Sequence, residues 1–477
     1  MATPIPPNAA PFTPAEVARA TGGTLVRDGR PFVGVSTDTR TITPGALYVA
    51  LRGENFDGHR FLPQATAAGA GGVLIATAGD LPPSGAVIRV ADTRAALGAL
   101  GRFHRDRWAA PGHRKVLAVG GSAGKTTTTR AIAALLSVLR PGVVHSTPGN
   151  LNSDLGLPLT LLLLEEHHHL AAVEIGTSHR GEISRLAAIA RPEVGLLTLV
   201  APEHTEGIGT LDDVADEEGD LFAALPPEGC AVGNGDDARV VAQIERSPAA
   251  RRIFYGFGEG CTLRALSRVP RGLSGSLVRV AWGGGAPEEY EVPLPGEAGT
   301  LAALAALAGA RALLDENVPP EALREALLGV ASLRDGRFAV EALADGTILL
   351  DDTYNSNTGS AKSSLRTARE LADSLGRRLV VVLGEMRELG PLAADEHEDV
   401  ARAAVDAGPA ALVAVNGEAV RFALAASAAG IPASFHRSGD EAVPVVLESV
   451  RPGDVVLVKA SRGVRLEVVA SALRSSR

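Results

Sequence analysis

The chain has 477 residues, of which 45% are hydrophobic, 21% charged and 4% aromatic, and its formal net charge is −9. This composition is ordinary for a globular protein, and the acidic balance gives no overall basic field that would favour nucleic acid. We therefore expect no nucleic-acid partner. The length predicts about three domains, each able to bury its own core.

Cysteine usage and apolar runs predict where the protein is found. The two cysteines, Cys230 and Cys261, suit neither a disulfide framework nor a metal site. Residues 1–14 lack a basic start and an apolar core, so they do not resemble a signal peptide. The longest apolar stretch, near 155–164, contains Pro158 and is too short to span a bilayer. We expect a soluble, cytoplasmic protein without a transmembrane segment.

Residues 1–110 are predicted to form a small α/β unit. Strands are expected at 33–36, 47–51 and 72–75, and helices at 14–21 and 61–68. A Pro-Gly hinge at 111–112 follows this unit.

Residues 111–331 are predicted to form a doubly wound parallel sheet. A strand at 116–119 runs through a glycine-rich turn into a helix at 126–139, and strands at 170–175 and 194–200 follow. This alternation of strands and helices indicates parallel pairing. Residues 262–295 resemble an antiparallel insertion, and helices are expected at 301–314 and 321–328.

Residues 332–477 are predicted to form a third, Rossmann-like α/β unit. Its strands are expected at 347–350, 379–383, 411–415 and 455–459, with Ala-rich helices between them. The predicted fold class is therefore α/β with three domains.

The glycine-rich turn of the central unit carries the strongest chemical signal. Its residues are Gly121, Ser122, Ala123, Gly124, Lys125, Thr126 and Thr127. Glycines let a phosphate approach the backbone, and N–H groups at the start of the following helix point towards it. Lys125 would reach the β- and γ-phosphates of ATP, and the Thr126 hydroxyl would bind Mg²⁺. A turn with a chance lysine is the alternative, but the flanking strand and helix favour ATP binding.

Further segments resemble the Mur ligase family, in order along the whole chain. They are residues 36–40, 53–59, 121–127, 147–160, 174–183, 351–357 and 459–467. The segments are most similar to Mur ligases that add D-alanyl-D-alanine to a UDP-N-acetylmuramoyl-tripeptide. The resemblance implies an N-terminal UDP-sugar-binding domain at 1–110, a central ATP-binding domain at 111–331 and a C-terminal ligase domain at 332–477.

The resemblance also implies a reaction and its partners. The cofactors would be ATP and Mg²⁺, and the substrates UDP-N-acetylmuramoyl-tripeptide and D-alanyl-D-alanine. The peptide carboxylate would attack the γ-phosphoryl group of ATP, and the dipeptide amine would then displace phosphate from the acyl phosphate. We expect the enzyme to act as a monomer.

Two side chains at predicted strand ends are expected to serve catalysis together with Lys125. Glu174 ends a strand where α/β proteins place ligand groups, and its carboxylate suits Mg²⁺, although a capping or surface glutamate is the alternative. His204 follows another strand. A lone histidine is more often packed or hydrogen-bonded than a metal ligand, but the resemblance implies a second Mg²⁺ site there.

The resemblance places further residues at ATP and at the substrates. At ATP these are Arg337, Asp352 and Asn355, and Arg337 by itself could equally be a solvated charge between domains. At the substrates they are Asp38, Thr39, Arg40, Asn150, Asn152, Ser178 and His179. The segment Asp38–Arg40 is expected at the uridine diphosphate, although a turn with a surface ion pair is its ordinary interpretation.

The chain departs from the family pattern at three places. Most Mur ligases carry a carbamylated lysine 14 positions after the histidine that matches His204, where this chain has Glu218. We expect Glu218 to serve the second Mg²⁺ site, although a solvated charge in the acidic run 216–220 is the alternative. Residues 296–302 lack the His-Asn pair that helps to seat adenine, and Thr205 replaces the usual leucine.

Two other functions remain compatible with these motifs. The chain could be a divergent Mur-type ligase that joins another amino compound to another acid, as folylpolyglutamate ligases do. It could also be a non-catalytic nucleotide-binding relative, against which the intact Lys125, Thr126, Glu174, His204 and Asp352 argue.

Overall fold

The computed structural model describes residues 5–53, 56–77, 81–333 and 335–477. Glu54 and Asn55 of the predicted UDP-sugar segment, and the start of the segment tested for a signal peptide, lie outside these ranges. The described backbone forms sheets of five, nine and six strands and one two-stranded pair.

The N-terminal unit has a five-stranded sheet in which parallel strands are joined by one antiparallel edge strand. Its elements are β1 Pro11–Phe12, α1 Pro14–Thr21, β2 Thr24–Arg27, β3 Phe32–Val33, β4 Val35–Ser36, β5 Leu47–Val49, α2 Leu62–Ala67, β6 Gly72–Ile75, β7 Ala86–Arg89 and α3 Thr93–Ala109. The sheet order is β2-β7-β6-β5-β4, and β1 pairs with β3. The strand predicted at 33–36 is broken because Gly34 has φ +93°, a conformation that interrupts regular strand geometry.

The central unit has a nine-stranded sheet. Its first elements are β8 Lys115–Gly120, α4 Lys125–Leu139, β9 Val144–Ser146, α5 Gly156–Leu161, β10 Leu170–Glu174, α6 Glu182–Ala190, β11 Val194–Leu197, α7 Thr205–Ile208 and α8 Leu211–Ala223. The remaining elements are β12 Cys230–Asn234, α9 Ala238–Ile244, β13 Arg251–Gly256, β14 Leu263–Pro270, β15 Ser276–Trp282, β16 Glu288–Val292, α10 Gly296–Leu314 and α11 Pro320–Ala331.

The strand order of this sheet is β16-β15-β14-β13-β12-β11-β8-β10-β9. Strands β8 to β13 pair in parallel, and β15 and β16 extend the sheet antiparallel, which confirms the predicted insertion at 262–295. Helices α4, α10 and α11 cover one face, while α5, α6, α8 and α9 cover the other. Both faces of the parallel strands are therefore buried, which explains their nearly continuous apolar sequences.

Helix α10 is a longer apolar stretch than the one near 155–164 that is singled out from the sequence. It has 19 residues, and by length and composition it is the one helix in the described chain that could span a bilayer. However, 72% of its apolar window is buried, and it packs on the central sheet as a core helix.

The C-terminal unit has a six-stranded sheet. Its elements are β17 Ala339–Ala342, β18 Ile348–Asp352, α12 Thr358–Leu375, β19 Leu379–Gly384, α13 Ala393–Asp406, β20 Ala411–Val415, α14 Val420–Ala428, β21 Ala433–His436, α15 Gly439–Ser449, β22 Val455–Lys459 and α16 Glu467–Ser476. The order is β17-β18-β22-β19-β20-β21, with only β17 antiparallel to its neighbour. Helices α3 and α11 end close to the predicted domain boundaries, which stay predictions.

Candidate active site

A cleft of about 930 Å³ lies beside the carboxyl end of β8. Strands β10 and β11 flank β8 on opposite sides, so connections leave the sheet in two directions there. Such a switch point is where open α/β sheets bind ligands. The predicted site residues that line the cleft are Ser122, Ala123, Gly124, Lys125, Thr126, Thr127, Asn150, Asn152, Glu174, Ser178, His179, His204, Arg337, Asp352 and Asn355.

The glycine-rich turn has the backbone that a phosphate loop needs. Gly121 has φ +112°, and a Cβ on it would lie 2.3 Å from Oγ1 of Thr198, so only glycine fits. Gly124 has φ +82° and precedes the first turn of α4, whose N–H groups open towards the cleft. The turn is therefore shaped to receive an anion, in agreement with the predicted phosphate site.

Lys125 is the cation at this loop. Its ammonium donates to the Gly121 carbonyl and lies 3.2 Å from Oε1 of Glu203. Burial favours the neutral amine, but Glu203, Glu218 and Glu174 outweigh it and raise the pKa of Lys125. The side chain is therefore a fixed positive charge beside the loop.

Thr126 and Glu174 form a pair of oxygens that suits Mg²⁺. The Thr126 hydroxyl donates to Oε2 of Glu174 over 2.7 Å, and the Asn152 amide donates to the other carboxylate oxygen over 2.6 Å. Glu174 is 3% exposed and faces the cleft at the end of β10. A hydroxyl and a carboxylate are hard oxygen donors, so the residues present fit a Mg²⁺ ion at this position.

His204 connects the central unit to the C-terminal unit. Its Nδ1 lies 2.5 Å from Oε2 of Glu388, and the neighbouring Thr205 hydroxyl donates to the Leu389 carbonyl over 2.8 Å. Burial lowers the pKa of His204, but Glu388 and Glu203 outweigh it and raise the pKa overall. The His204 ring therefore pairs with Glu388 of the C-terminal unit in this structure.

The structure does not gather Glu174, His204 and Glu218 into one metal-binding group. Among the residues it describes, no cluster of three or more His, Cys, Asp or Glu side chains could hold a metal ion. Their positions explain this result, because Glu174 faces Thr126, His204 faces Glu388 and Glu218 lies behind the loop.

Glu218 is neither a cleft residue nor a solvated charge. It is 0% exposed, its Oε2 accepts from the Gly121 N–H over 2.7 Å, and its Oε1 has no hydrogen-bond partner in the described chain. Burial raises the pKa of Glu218 to about 7, with Lys125 opposing the shift and Glu203 adding to it. Glu218 therefore supports the phosphate loop from behind in this structure, and its role at the second Mg²⁺ site stays a prediction.

Asp352 is held by buried partners at the end of β18. Its Oδ2 accepts from Lys459 Nζ and from the Ser364 hydroxyl, each over 2.7 Å, and its Oδ1 accepts from the Phe338 N–H over 3.0 Å. Lys459 also donates to the Asn355 carbonyl over 2.9 Å. Asp352 thus holds the backbone of Phe338 directly and that of Asn355 through Lys459.

Arg337 stacks on an aromatic ring at the cleft. Its guanidinium carbon lies over the Tyr354 ring, 3.6 Å from the ring centre, which is a cation–π contact. The side chain is 19% exposed, and its Nε lies 3.6 Å from Oδ2 of Asp335. This placement leaves the guanidinium on the wall of the cleft, as a contact to ATP would require.

The predicted uridine diphosphate residues lie away from the cleft. Asp38 and Arg40 pair with each other over 2.6 Å, and the Arg40 side chain is 86% exposed. The hydrogen bond from Arg40 holds the pKa of Asp38 below its usual range. Thr39 is half-buried between them. The structure thus shows a turn with a surface ion pair, and the role at the substrate stays a prediction.

Two glutamates that sequence reasoning missed shape the loop around Ser178 and His179. The Glu182 carboxylate accepts from the backbone N–H groups of Ser178 and His179, over 2.7 and 3.1 Å. The Glu217 carboxylate accepts from Gly181 over 2.6 Å and from the N–H of residue 183 over 2.8 Å. Glu182 is the first residue of α6, and an acidic residue at a helix start is the signal that could have indicated it, whereas Glu217 lies in the middle of α8 and carries no such signal.

Comparison with known proteins identifies the family. Residues 31–105 match the Mur ligase family catalytic domain, residues 119–310 the Mur ligase middle domain, and residues 336–462 the Mur ligase glutamate ligase domain. A UDP-N-acetylmuramoyl-tripeptide--D-alanyl-D-alanine ligase of Synechocystis is 34% identical, over 92% of this chain and 91% of its own length. The chain belongs to the Mur ligase family. The ligase of the same name from Escherichia coli is 33% identical, over 93% and 94% of the two chains.

Solved structures of Mur ligases have the same three-domain α/β architecture. MurF from Acinetobacter baumannii is 28% identical and superposes with a TM-score of 0.85, over 98% of this chain and 99% of its own. MurF from Thermotoga maritima, in complex with ADP, is 25% identical with a TM-score of 0.77, over 92% and 97%. The predicted fold class is thereby confirmed.

Two departures from the Mur ligase pattern have structural counterparts. Thr205, where leucine is usual, donates a hydrogen bond across the two units. At 296–302, the cleft is lined by Glu297, Ala298, Gly299, Leu301 and Ala302 of α10, and Gly299 packs so closely that a Cβ would lie 2.6 Å from the Leu294 Cβ. Asn234 and Tyr255 also line the cleft and were not predicted as site residues.

Proposed function

We propose that this Mur ligase uses ATP to join D-alanyl-D-alanine to a UDP-N-acetylmuramoyl-tripeptide through an acyl phosphate. The observation that carries the proposal is its similarity, over nearly the whole chain, to ligases of that name. The cleft between the phosphate loop and the C-terminal unit supports this proposal, because the reaction requires one site where ATP and the peptide carboxylate lie side by side.

The phosphate loop and Lys125 bind the triphosphate in this proposal. The N–H groups at the start of α4 and the ammonium of Lys125 neutralise charge on the β- and γ-phosphates. Thr126 and Glu174 would hold Mg²⁺, which when bound screens the repulsion between the triphosphate and the attacking carboxylate. Arg337, held over the Tyr354 ring, adds a second positive group from the C-terminal unit.

The residues that line the cleft suit the two kinds of substrate in this proposal. Leu294, Ala298 and Tyr255 supply apolar surface for the adenine ring, although the usual His-Asn pair is absent from the sequence. Asn150, Asn152, Ser178 and His179 supply polar groups that suit the peptide acceptor. Asp38, Thr39 and Arg40 would contact the uridine diphosphate once their surface ion pair opens.

The C-terminal unit excludes water from the acyl phosphate. It already contacts the central unit through Glu388, Leu389 and Asn357, so both walls of the cleft are in place. An enclosed site protects a reactive intermediate from hydrolysis. We further propose that the enzyme acts as a monomer in the cytoplasm, with domains at 1–110, 111–331 and 332–477.

The two alternative functions lack a supporting observation. Folylpolyglutamate synthase of Mycobacterium tuberculosis superposes with a TM-score of 0.59 at 16% identity, which shows a shared fold only. A non-catalytic relative would not need the Thr126–Glu174 pair and the fixed cation of Lys125 that the structure retains.

Phosphate release tests the function directly. The purified enzyme is incubated with ATP, Mg²⁺ and UDP-N-acetylmuramoyl-tripeptide, with or without D-alanyl-D-alanine. Released phosphate is measured, and the mass of the product is determined by mass spectrometry. We expect phosphate release that depends on the dipeptide, and a product heavier by one dipeptide minus water. Dipeptide-independent release, or release with another amine alone, would contradict the proposal.

A further inference from the structure

The amide of Asn357 joins the C-terminal unit to the phosphate loop. Its Nδ2 donates to the main-chain carbonyl of Ser122 over 3.0 Å, and to Oε2 of Glu203 over 3.4 Å. Asn357 is 7% exposed, so water competes little for these bonds. One side chain therefore spans the two units that form the walls of the cleft.

Glu203 extends this contact to Lys125. Its Oε2 faces Asn357, and its Oε1 lies 3.2 Å from the Lys125 ammonium. Glu203 is 6% exposed, and its partners come from both units. A continuous chain of polar contacts thus runs from the start of α12 to the cation of the phosphate loop.

The cap of α12 fixes which way the amide points. Oδ1 of Asn357 accepts from the Ser360 N–H over 2.8 Å, and the Ser360 hydroxyl accepts from the Asn357 N–H over 3.1 Å. A flipped amide would place an oxygen against the Ser122 carbonyl and an N–H₂ group against the Ser360 N–H. The helix cap therefore aims the donor at the loop.

We propose that Asn357 is a positioning residue that couples docking of the C-terminal unit to the shape of the phosphate loop and the placement of Lys125. When the units separate, the Ser122 carbonyl and one oxygen of Glu203 lose their shared donor and turn to water. The loop therefore holds the present arrangement only while the C-terminal unit is docked. The expected effect on the ligation rate rests on the proposed function, whereas the coupling between docking of the C-terminal unit and the shape of the loop does not.

Two substitutions separate the role of Asn357 as the cap of α12 from its role as a donor to Ser122 and Glu203. Aspartate and serine both cap helices well, so Asn357→Asp and Asn357→Ser keep the start of α12. Aspartate replaces the donor by an acceptor and sets a second carboxylate against Glu203. Serine keeps the site neutral but is too short to reach Ser122.

We expect the Asn357→Asp variant to lose about tenfold or more in kcat, because its buried partners are left without a donor. The Asn357→Ser variant loses less, since it adds no charge, and the KM for D-alanyl-D-alanine stays unchanged in both. Small-angle X-ray scattering with a non-hydrolysable ATP analogue should give a larger radius of gyration for the Asp variant than for the wild type.

Ser438→Ala is the matched control. Ser438 caps α15 in the same unit, through the Glu441 N–H, and does not line the cleft in the described structure. Its loss should lower the melting temperature without changing kcat or the radius of gyration. Wild-type kcat and scattering in both Asn357 variants would overturn the inference. If the wild-type enzyme does not ligate, the proposed function fails, and the scattering comparison alone decides the coupling.

Discussion

The substitution Glu218→Gln should make the stability of the protein less dependent on pH. Burial raises the pKa of the Glu218 carboxyl from its ordinary value of 4.5 to about 7. The folded protein therefore binds this proton more tightly than the unfolded chain does. The resulting stabilisation is fully present below pH 4.5, and it is lost as the pH rises to about 7.

The shift sets the size of the effect. A difference of about 2.5 pKa units corresponds to about 3 kcal/mol, which is an upper limit for the change in unfolding free energy across this range. Glutamine keeps an acceptor for the Gly121 N–H and stays neutral at every pH. Its N–H₂ group, like the O–H of the protonated acid, would occupy the position of Oε1, which lacks a partner in the described chain. The variant and the wild type should therefore be similar at pH 5 and differ at pH 8.

Differential scanning calorimetry at the two pH values measures this effect. We expect the transition of the central unit to occur several degrees higher in the variant at pH 8, and nearly unchanged at pH 5. Glu217→Gln is the control, because both oxygens of Glu217 accept backbone N–H groups and glutamine offers only one acceptor. That control should lower the melting temperature at both pH values. A Glu218→Gln variant with the same shift at pH 5 and pH 8 would refute the reasoning.

Four further predictions follow from the site and the core. Lys125→Ala should reduce ligation by at least about 10²–10³-fold in a protein that still folds, and near-normal turnover would contradict the phosphate site. Glu174→Ala should raise the Mg²⁺ concentration required for half-maximal rate, and an unchanged Mg²⁺ titration would exclude its role. Burial lowers the pKa of His104 to about 4, so the stability from this neutral ring is present above pH 6.5 and lost as the pH falls to 4. His104→Gln should therefore weaken the fall of the unfolding free energy between pH 6.5 and pH 4, measured by urea denaturation. An unaltered dependence on pH would contradict this role of His104. Ligation should proceed equally in bicarbonate-free and bicarbonate-containing buffer, because Glu218 needs no carbamylation, and a bicarbonate requirement would point to a modified lysine elsewhere.

Local sequence patterns determined the parallel architecture and the phosphate site. The strand at 116–119, the glycine turn and the helix that follows were predicted within a residue or two of β8 and α4. They are predictable because apolar strand runs, positive-φ glycines and a helix start act over a few residues. Short or partly exposed strands such as β2 and β21 escaped prediction, since their sequences carry little apolar periodicity.

The roles of individual acidic residues depended on packing between distant segments. The acidic run 216–220 is typical of a solvated helix face, yet the tertiary structure buries Glu217 and Glu218 in different environments. Glu218 does not face Glu174 or His204 in this structure, because its helix packs against the back of the loop and turns the carboxylate to Gly121. Its role at the second Mg²⁺ site stays a prediction.

The sequence by itself determined which chemical groups stand at the start of α4, Lys125 and Thr126, and at the ends of β10 and β18, Glu174 and Asp352. Only the tertiary structure decided which of them meet, because Glu203, Asn357 and Lys459 come from segments far apart in the chain. Asn357 lies 235 residues from Ser122, and its donor finds the loop carbonyl only when two separate sheets pack together. Hydrogen bonds of this range follow from the docking of whole units, which no local pattern encodes.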